Sequence, residues 1–163
     1  MKKLLFFAAL LLSFTFLMGQ NAKLPSVNIK DMEGKVVNTS SFSNDGKPYV
    51  ICFWATWCHP CLQELSAMAE LYDDWRNESG MKIYAISLDD TRTKGKVKPT
   101  VNSQEWSYEV MIDENSDFKR AMGVNNPPHT FIIGSDGTIL WQHTGYAEGD
   151  EENLLKKYIE FLE

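Results

Sequence analysis

Cysteine is scarce in this chain, and the glycine patterns that bind phosphate groups are missing. The 163 residues include three cysteines, too few for a framework of several disulfides. There is no Gly-x-Gly-x-x-Gly segment and no Gly-Lys-Ser/Thr loop, which disfavours nucleotide enzymes. Basic residues are also few, with 16 Lys and Arg against 22 acidic residues and a net charge of −6. That balance argues against binding to nucleic acid or to anionic lipid surfaces, because both need clustered positive charge.

The N-terminal segment has the composition of a leader for export. Lys2 and Lys3 are followed by an almost wholly apolar run from residue 4 to residue 18, the pattern of a secretory signal. A run of about 15 residues is short for a membrane span, which needs about 20. We therefore divide the chain into a signal peptide or membrane anchor, residues 1–19, and a domain, residues 20–163. We expect the protein in the periplasm, where it touches a membrane only through its leader, if that is retained.

Apolar periodicity in the rest of the chain predicts one α/β domain. Two continuous apolar runs, 49–54 and 82–88, are typical of strands covered on both faces of a sheet. Between them, apolar residues recur at helical spacing from Pro60 to Gly80, a residue type that commonly ends helices. Residues 23–47 predict a β-hairpin. The other predicted elements are a helix at 100–106, a strand at 108–112, a helix at 117–122, a hairpin at 131–142 and a helix at 151–162. The expected architecture is a central mixed sheet flanked by helices, with an N-terminal β-hairpin extension.

Two of the three cysteines form the pair that carries the chemistry. Cys58 and Cys61 are three residues apart at the start of the predicted helix, so their sulfur atoms can reach disulfide distance. A disulfide that closes so short a loop stabilises a fold little, which favours a chemical role. Cys58 lies at the helix N-terminus, where unpaired N–H groups and the helix dipole favour a thiolate. We therefore predict that Cys58 is the exposed attacking sulfur and Cys61 the resolving sulfur.

The two residues between the cysteines are expected to tune the pair. A protonated His59 would stabilise the Cys58 thiolate and make the pair more oxidising. The alternative is a histidine that simply faces solvent. Pro60 is tolerated in a first helical turn and stiffens it. The direction of electron flow stays open, because reductases, oxidases and isomerases differ in reduction potential and in partner.

Four short segments carry a family pattern: GKPYV at 46–50, FWATWCHPC at 53–61, PHTFII at 128–133 and DG at 136–137. They resemble thioredoxin-like proteins, and in particular the exported TlpA/ResA branch of thiol-disulfide oxidoreductases. The core from Trp57 to Cys61 is a strong signal in this context, whereas a bare Cys-x-x-Cys is also half of a zinc site. The resemblance covers residues 24–162. It implies a thioredoxin-like fold and catalysis by the cysteine pair, with neither a cofactor nor a metal.

The resemblance bears on four further positions: it implies roles for two of them, and at the other two this chain departs from the family pattern. The family has a cis-proline that faces the cysteine pair, and it falls on Pro128. In the ResA-like branch an acidic residue at the position of Glu64 lies by the active site, where it would move the proton of Cys61 or shape substrate choice. The alternative is a solvated helix glutamate. The family's threonine after the proline is His129 here, which we expect at the surface. Cys52 stands where cytoplasmic thioredoxins have a buried acid, and we expect a small buried hydrophobe rather than a third redox thiol.

The function that the sequence favours is a reductant or exchange enzyme for exported protein thiols. The resemblance implies protein dithiols and disulfides as substrates, among them the haem-binding Cys-x-x-Cys-His of apocytochrome c, and a membrane thiol carrier as electron donor. One alternative is a copper or zinc carrier that uses Cys58, Cys61 and one of the three histidines. Another is a thiol peroxidase, although Thr56 stands one residue closer to Cys58 than the usual Thr-x-x-Cys pattern of those enzymes.

Overall fold

The computed structural model describes residues 22–162, and the predicted leader, residues 1–19, lies outside them. The strands of the described chain are β1 (Asn28–Asp31), β2 (Val36–Asn38), β3 (Tyr49–Trp54), β4 (Ile83–Ser87), β5 (Glu109–Ile112), β6 (His129–Ile133) and β7 (Ile139–Thr144). Its α-helices are α1 (His59–Ser79), α2 (Val97–Ser103), α3 (Asp117–Ala121) and α4 (Asp150–Glu160). Among these helices, none is long and apolar enough to cross a membrane.

The strands form one mixed sheet in the order β2-β1-β5-β4-β3-β6-β7. β4 runs parallel to both of its neighbours, β3 and β5, while the pairs that involve β1, β2, β6 and β7 are antiparallel. Every residue of β3 is buried, because helices cover both faces of the sheet. α1 packs with α4 on one face, and Phe118 of α3 packs against Phe53 on the other. The predicted mixed sheet flanked by helices is confirmed.

Helix α1 begins beside the cysteine pair and turns one apolar stripe toward the sheet. Leu65, Met68, Tyr72 and Trp75 are buried along it, at the spacing of three or four residues that a helix requires. The helix ends at Gly80, whose φ of 74° is left-handed and whose N–H bonds to the carbonyl of Arg76. Glycine adopts this conformation without the steric cost of a side chain, so the predicted helix end is confirmed.

Two other predicted elements can be compared with the structure. The N-terminal hairpin is present as β1 and β2, and it joins the main sheet through antiparallel pairing of β1 with β5. Helix α2 begins at Val97, three residues earlier than predicted, so Pro99 lies inside the helix rather than in the preceding loop. A proline is tolerated there, because the N–H groups of a first helical turn have no partner within the helix.

The carboxyl ends of β3 and β4 and the beginning of β6 meet at one edge of the sheet. Trp54 at the end of β3 is paired with Ser87 at the end of β4, and Phe53 is paired with His129 at the start of β6. The chain leaves this edge from β3 into the turn that carries the cysteines. The connections after β3 and β4 and before β6 therefore meet at the edge where the cysteine-bearing turn lies.

Candidate active site

Cys58 and Cys61 are joined by a disulfide at the N-terminus of α1. Their Cα atoms are 5.3 Å apart, within the range that a disulfide spans. Cys58 caps the helix with an extended backbone, and Cys61 lies one turn inside it. Cys58 retains 6% of its exposure and Cys61 none. The expectation of an exposed Cys58 is therefore wrong for the disulfide form, in which both cysteines are buried. Cys58 is the more accessible of the two, and its role as the attacking sulfur stays a prediction.

A buried carboxylate holds the turn that presents Cys58. Asp89 lies two residues after the end of β4 and is fully buried. It accepts hydrogen bonds from the backbone N–H of Thr56 at 2.8 Å, from the Thr56 hydroxyl at 2.5 Å and from the Ser87 hydroxyl at 2.8 Å. Two of these bonds come from the turn itself. The carboxylate thereby ties the turn between β3 and α1 to the end of β4.

Three residues next to the two cysteines in the chain are exposed to solvent. Trp57 is 61% exposed, which is unusual for the largest apolar side chain. His59 and Pro60 are also exposed, and Pro60 lies in the first turn of α1 as predicted. The exposed position of His59 agrees with a histidine that faces solvent, and its effect on the pair stays a prediction.

The Pro127–Pro128 peptide bond is cis, as the resemblance implies. Pro128 is buried at the edge where β6 begins, and its carbonyl accepts a hydrogen bond from the Gly145 N–H at 2.9 Å. The expected surface position of His129 is wrong. Its side chain is 8% exposed, stacks on Phe131 with ring centroids 4.3 Å apart and shares a 3.0 Å hydrogen bond with Gln142. Burial lowers the pKa of His129, which favours the neutral imidazole.

Glu64 is buried behind the disulfide, so the alternative of a solvated helix glutamate is wrong. Its side chain is 5% exposed, and its Oε1 accepts a 2.7 Å hydrogen bond from the Thr130 hydroxyl. Its Oε2 is buried with no partner in the described residues. Burial raises the pKa of Glu64 to about 7, against the opposing effect of the Thr130 hydrogen bond, and the carboxylates of Asp150 and Glu151 add to the rise. This carboxyl group can therefore gain and lose a proton near neutral pH.

Cys52 is buried in the middle of β3 and is the free cysteine of the described chain. It lies directly across from Thr130 on β6. Burial raises the pKa of Cys52 well above its usual value, and the nearby Glu64 carboxyl adds to the rise. The group is therefore a protonated thiol, which agrees with the prediction of a small buried residue.

The structure brings Cys58, Cys61, Glu64 and Pro128 to one edge of the sheet and adds two residues that the sequence analysis did not single out. Asp89 is recognisable only as a charged residue just after a buried strand that runs parallel to the strand before Cys58. Thr130 follows the cis-proline by two residues, and its contact with Glu64 spans 66 positions of the chain. The spacing of residues along one element does not reveal such a contact.

Comparisons with known proteins identify the family of this chain. Residues 20–142 match the AhpC/TSA family. The thiol-disulfide oxidoreductase ResA of Bacillus thuringiensis subsp. konkukian is 33% identical over 134 residues, which cover 82% of this chain and 75% of that protein. The ResA of Bacillus subtilis is 25% identical over 143 residues, 88% of this chain and 75% of that protein.

Solved structures show the same fold. A thioredoxin-like protein from Porphyromonas gingivalis is 47% identical, with a TM-score of 0.76 over 88% of this chain and 94% of the other. A candidate thiol:disulfide interchange protein DsbE from Chlorobium tepidum is 26% identical, with a TM-score of 0.75 over 88% of this chain and 98% of the other. The chain belongs to the AhpC/TSA family of thioredoxin-like proteins and is a thiol-disulfide oxidoreductase related to ResA.

Proposed function

We propose that this oxidoreductase is exported and reduces disulfides of other proteins outside the cytoplasm through Cys58 and Cys61. The observation that carries the proposal is the placement of three groups on one helix. The more accessible sulfur lies at the N-terminus of α1, the fully buried sulfur lies one turn inside, and a buried carboxyl group with a pKa of about 7 follows three residues later. This order provides an attacking thiolate, a resolving thiol and a proton acceptor for that thiol.

The first step uses Cys58 of the reduced protein. Its thiolate, favoured by the N–H groups and dipole of α1, attacks one sulfur of a substrate disulfide. An S–S bond forms between Cys58 and the substrate, the substrate S–S bond breaks, and the second substrate sulfur leaves as a thiolate. The exposed Trp57 provides an apolar surface for the substrate chain beside the attacking sulfur. The cis-proline Pro128, which the family resemblance places facing the pair, is proposed as the other wall of the site.

The second step uses Cys61 and Glu64. The thiol of Cys61 gives its proton to the Glu64 carboxylate and attacks Cys58 of the mixed disulfide. The Cys58–Cys61 disulfide forms, the bond to the substrate breaks, and the substrate leaves with its second sulfur reduced. Two electrons have moved from the enzyme dithiol to the substrate. A membrane thiol carrier is the electron donor that returns the enzyme to the dithiol form.

Support for export comes from the sequence. The positive start at Lys2 and Lys3 and the apolar run over residues 4–18 fit a secretory signal, and we assign residues 1–19 to a leader that is either cleaved or kept as an anchor. The oxidising conditions of the periplasm are where protein disulfides persist as substrates. The disulfide between the two cysteines of the haem-binding Cys-x-x-Cys-His of apocytochrome c is the substrate that we propose first, because the TlpA/ResA resemblance implies this segment as a substrate.

The metal-carrier alternative gains no support from the histidines. His129 Nε2 is engaged by Gln142 at 3.0 Å, and His143 Nε2 lies 3.2 Å from Asp150 Oδ2. Within residues 22–162, no three His, Cys, Asp or Glu side chains are grouped as a metal site requires. The thiol-peroxidase alternative is disfavoured by the chemistry of the pair, because Cys61 closes a disulfide with Cys58 inside a single helical turn.

Trapping of reaction intermediates tests this proposal. In the Cys61→Ser variant of the full chain, the resolving sulfur is absent, so mixed disulfides between Cys58 and substrates should accumulate. They should appear on non-reducing gels of periplasmic extract as bands that dithiothreitol removes. The Cys58→Ser variant is the matched control and should form none. Full turnover by Cys61→Ser would contradict the two-cysteine mechanism, and a cytoplasmic location of the trapped complexes would contradict export.

A further inference from the structure

A buried carboxylate without a cation lies beneath the turn that carries Cys58. Asp89 is fully buried, and its two carboxyl oxygens accept the hydrogen bonds of the Thr56 N–H, the Thr56 hydroxyl and the Ser87 hydroxyl. Among residues 22–162, no ion pair includes Asp89. Burial of a charge is costly unless an opposite charge or hydrogen bonds replace the lost water. Asp89 is thus held by neutral donors alone.

These contacts with Asp89 do not require a negative charge. The Ser87 hydroxyl accepts the Asp89 N–H at 3.1 Å, so its own proton is directed to Asp89 Oδ2, which also takes the Thr56 N–H. Oδ1 contacts the Thr56 hydroxyl, and a hydroxyl can accept a hydrogen bond as well as donate one. An asparagine with its oxygen in place of Oδ2 and its nitrogen in place of Oδ1 would keep all three contacts. Anchoring of the turn therefore does not explain why the buried side chain is charged.

The charge of Asp89 is close to Cys58. The Cys58 N–H donates to the Ala55 carbonyl at 3.0 Å, which closes a tight turn over residues 55–58. The peptide unit between Ala55 and Thr56 donates its N–H to Asp89 Oδ2 at 2.8 Å. With standard peptide geometry, this oxygen lies within about 8 Å of the Cys58 nitrogen. Because Asp89 is 0% and Cys58 6% exposed, solvent screens an interaction between them only weakly.

We propose that the negative charge of Asp89 opposes ionisation of the Cys58 thiol and thereby holds the cysteine pair at a low reduction potential. The N-terminus of α1 favours the Cys58 thiolate, and stabilisation of the thiolate makes a dithiol more oxidising. A buried negative charge beneath the turn acts in the opposite direction, because like charges repel. Asp89 is a positioning residue that acts through Cys58 rather than on the substrate. The inference rests on the proposed function as a reductant and supplies a physical reason for it.

Four other titratable groups lie near the turn or the end of β4: His59, Glu64, Asp90 and Asp113. Asp90 is paired with Arg92 at 2.7 Å, and the carboxyl oxygens of Asp113 accept hydrogen bonds from backbone N–H groups of α3. His59 is exposed, and Glu64 lies on α1, one turn after Cys61. All four are unchanged when Asp89 is replaced, so a substitution of Asp89 isolates its effect on the turn.

The test is the pH dependence of Cys58 alkylation by iodoacetamide in the reduced full-length protein, with the modified residue identified by mass spectrometry. The midpoint gives the Cys58 pKa, because the thiolate is the nucleophile. Two unit charges about 10 Å apart, at an effective dielectric constant of about 20, shift a pKa by about one pH unit. Asp89→Asn should therefore lower the midpoint by about one pH unit. Above both midpoints, the equilibrium with dithiothreitol should move about tenfold toward the dithiol, a potential about 30 mV less negative.

Three variants separate the charge from the anchoring of the turn. Asp90→Asn is the matched control, because Asp90 is the neighbouring acid but is partly exposed, and it should move the midpoint by less than about 0.2 pH units. Thr56→Val and Ser87→Ala each remove one donor and keep the charge, so their midpoints should stay at or above the wild-type value. Urea denaturation verifies that each variant is folded.

Two results would overturn the proposal. One is an unchanged midpoint in folded Asp89→Asn. The other is a lowered midpoint in Thr56→Val and Ser87→Ala, which would assign the effect to a loosened turn and decides the question even if Asp89→Asn does not fold. The alkylation needs neither a partner nor turnover. If Asp89→Asn lowers the midpoint while the wild-type potential is near that of a strong oxidant, the reductant role fails and the effect of Asp89 on Cys58 stands.

Discussion

The buried carboxyl group of Glu64, one helical turn after Cys61, has a hydrogen-bond donor for one of its two oxygen atoms. Glu64 Oε1 has the Thr130 hydroxyl as a donor, whereas Oε2 has none among residues 22–162. A carboxylate in such a place leaves a buried charged oxygen unpaired, which is costly, and so the group keeps its proton to a higher pH than an exposed glutamate. A pKa of about 7 makes it a suitable proton acceptor at the working pH of most enzymes.

Replacement of Glu64 by glutamine keeps the shape of the side chain and removes its titration. Because only the carboxylate accepts the Cys61 proton, the rate of the second step should rise with pH through the Glu64 pKa of about 7 in the wild type. Glu64→Gln should lose this rise and slow the step on the order of 10²-fold, the low end of general base catalysis. The step is observed by stopped flow as the release of the second chromophore when reduced protein is mixed with Ellman's reagent.

Glu70→Gln is the matched control, because Glu70 is an exposed glutamate of the same helix. Its rate and pH profile should match those of the wild type. A wild-type profile in Glu64→Gln would remove Glu64 from the mechanism and return its burial to a structural role.

At the scale of elements, the turn between β3 and α1 is held by hydrogen bonds to Asp89, a residue outside the cysteine motif. The sequence predicts the strand, the helix and the cysteines between them, because each is encoded by neighbouring residues. The connection to Asp89 depends on the parallel pairing of β3 with β4, which brings Thr56 and Asp89 together across 33 positions. Pairing of that kind is a property of the folded sheet, so local patterns do not predict it.

Thr56→Val tests the contribution of this contact. The substitution removes the hydroxyl that donates to the fully buried Asp89 and leaves the backbone N–H donor in place. The free energy of unfolding of the oxidised protein should fall by about 1.5–3 kcal/mol, the usual range for a hydrogen bond to a charged group. Urea denaturation measures it. Thr93→Val is the control, since its hydroxyl is 3.5 Å from Asp90, and it should cost less than about 0.5 kcal/mol. Equal losses in the two variants would contradict the anchoring role of Asp89.

The wrong prediction for His129 is also explained by contacts between strands. From the sequence, we expect this histidine at the surface. In the structure, the alternation of β6 puts His129 on the same face as Phe131, and β7 brings Gln142 within hydrogen-bonding distance. Burial of the imidazole therefore depends on a partner from the adjacent strand.

For the whole molecule, the sequence predicts the fold class and the reacting pair, but not the surroundings that control proton transfer. The five consecutive residues Trp57 to Cys61 contain both cysteines, the start of helix α1 and the proline of its first turn. The environment of Glu64 is assembled from β3, β6, α4 and the segments before α4 and β5, which are distant in the chain. Its raised pKa is thus a consequence of tertiary structure.

The reduction potential of the Cys58–Cys61 pair tests the proposed reductant most directly. The full chain is equilibrated with dithiothreitol or glutathione buffers at pH 7, and the fraction of dithiol is measured at each ratio. A reductant of exported protein disulfides should have a potential at or below that of thioredoxin, about −270 mV. A potential near that of the strong oxidant DsbA, about −120 mV, would contradict the proposal and indicate an enzyme that inserts disulfides.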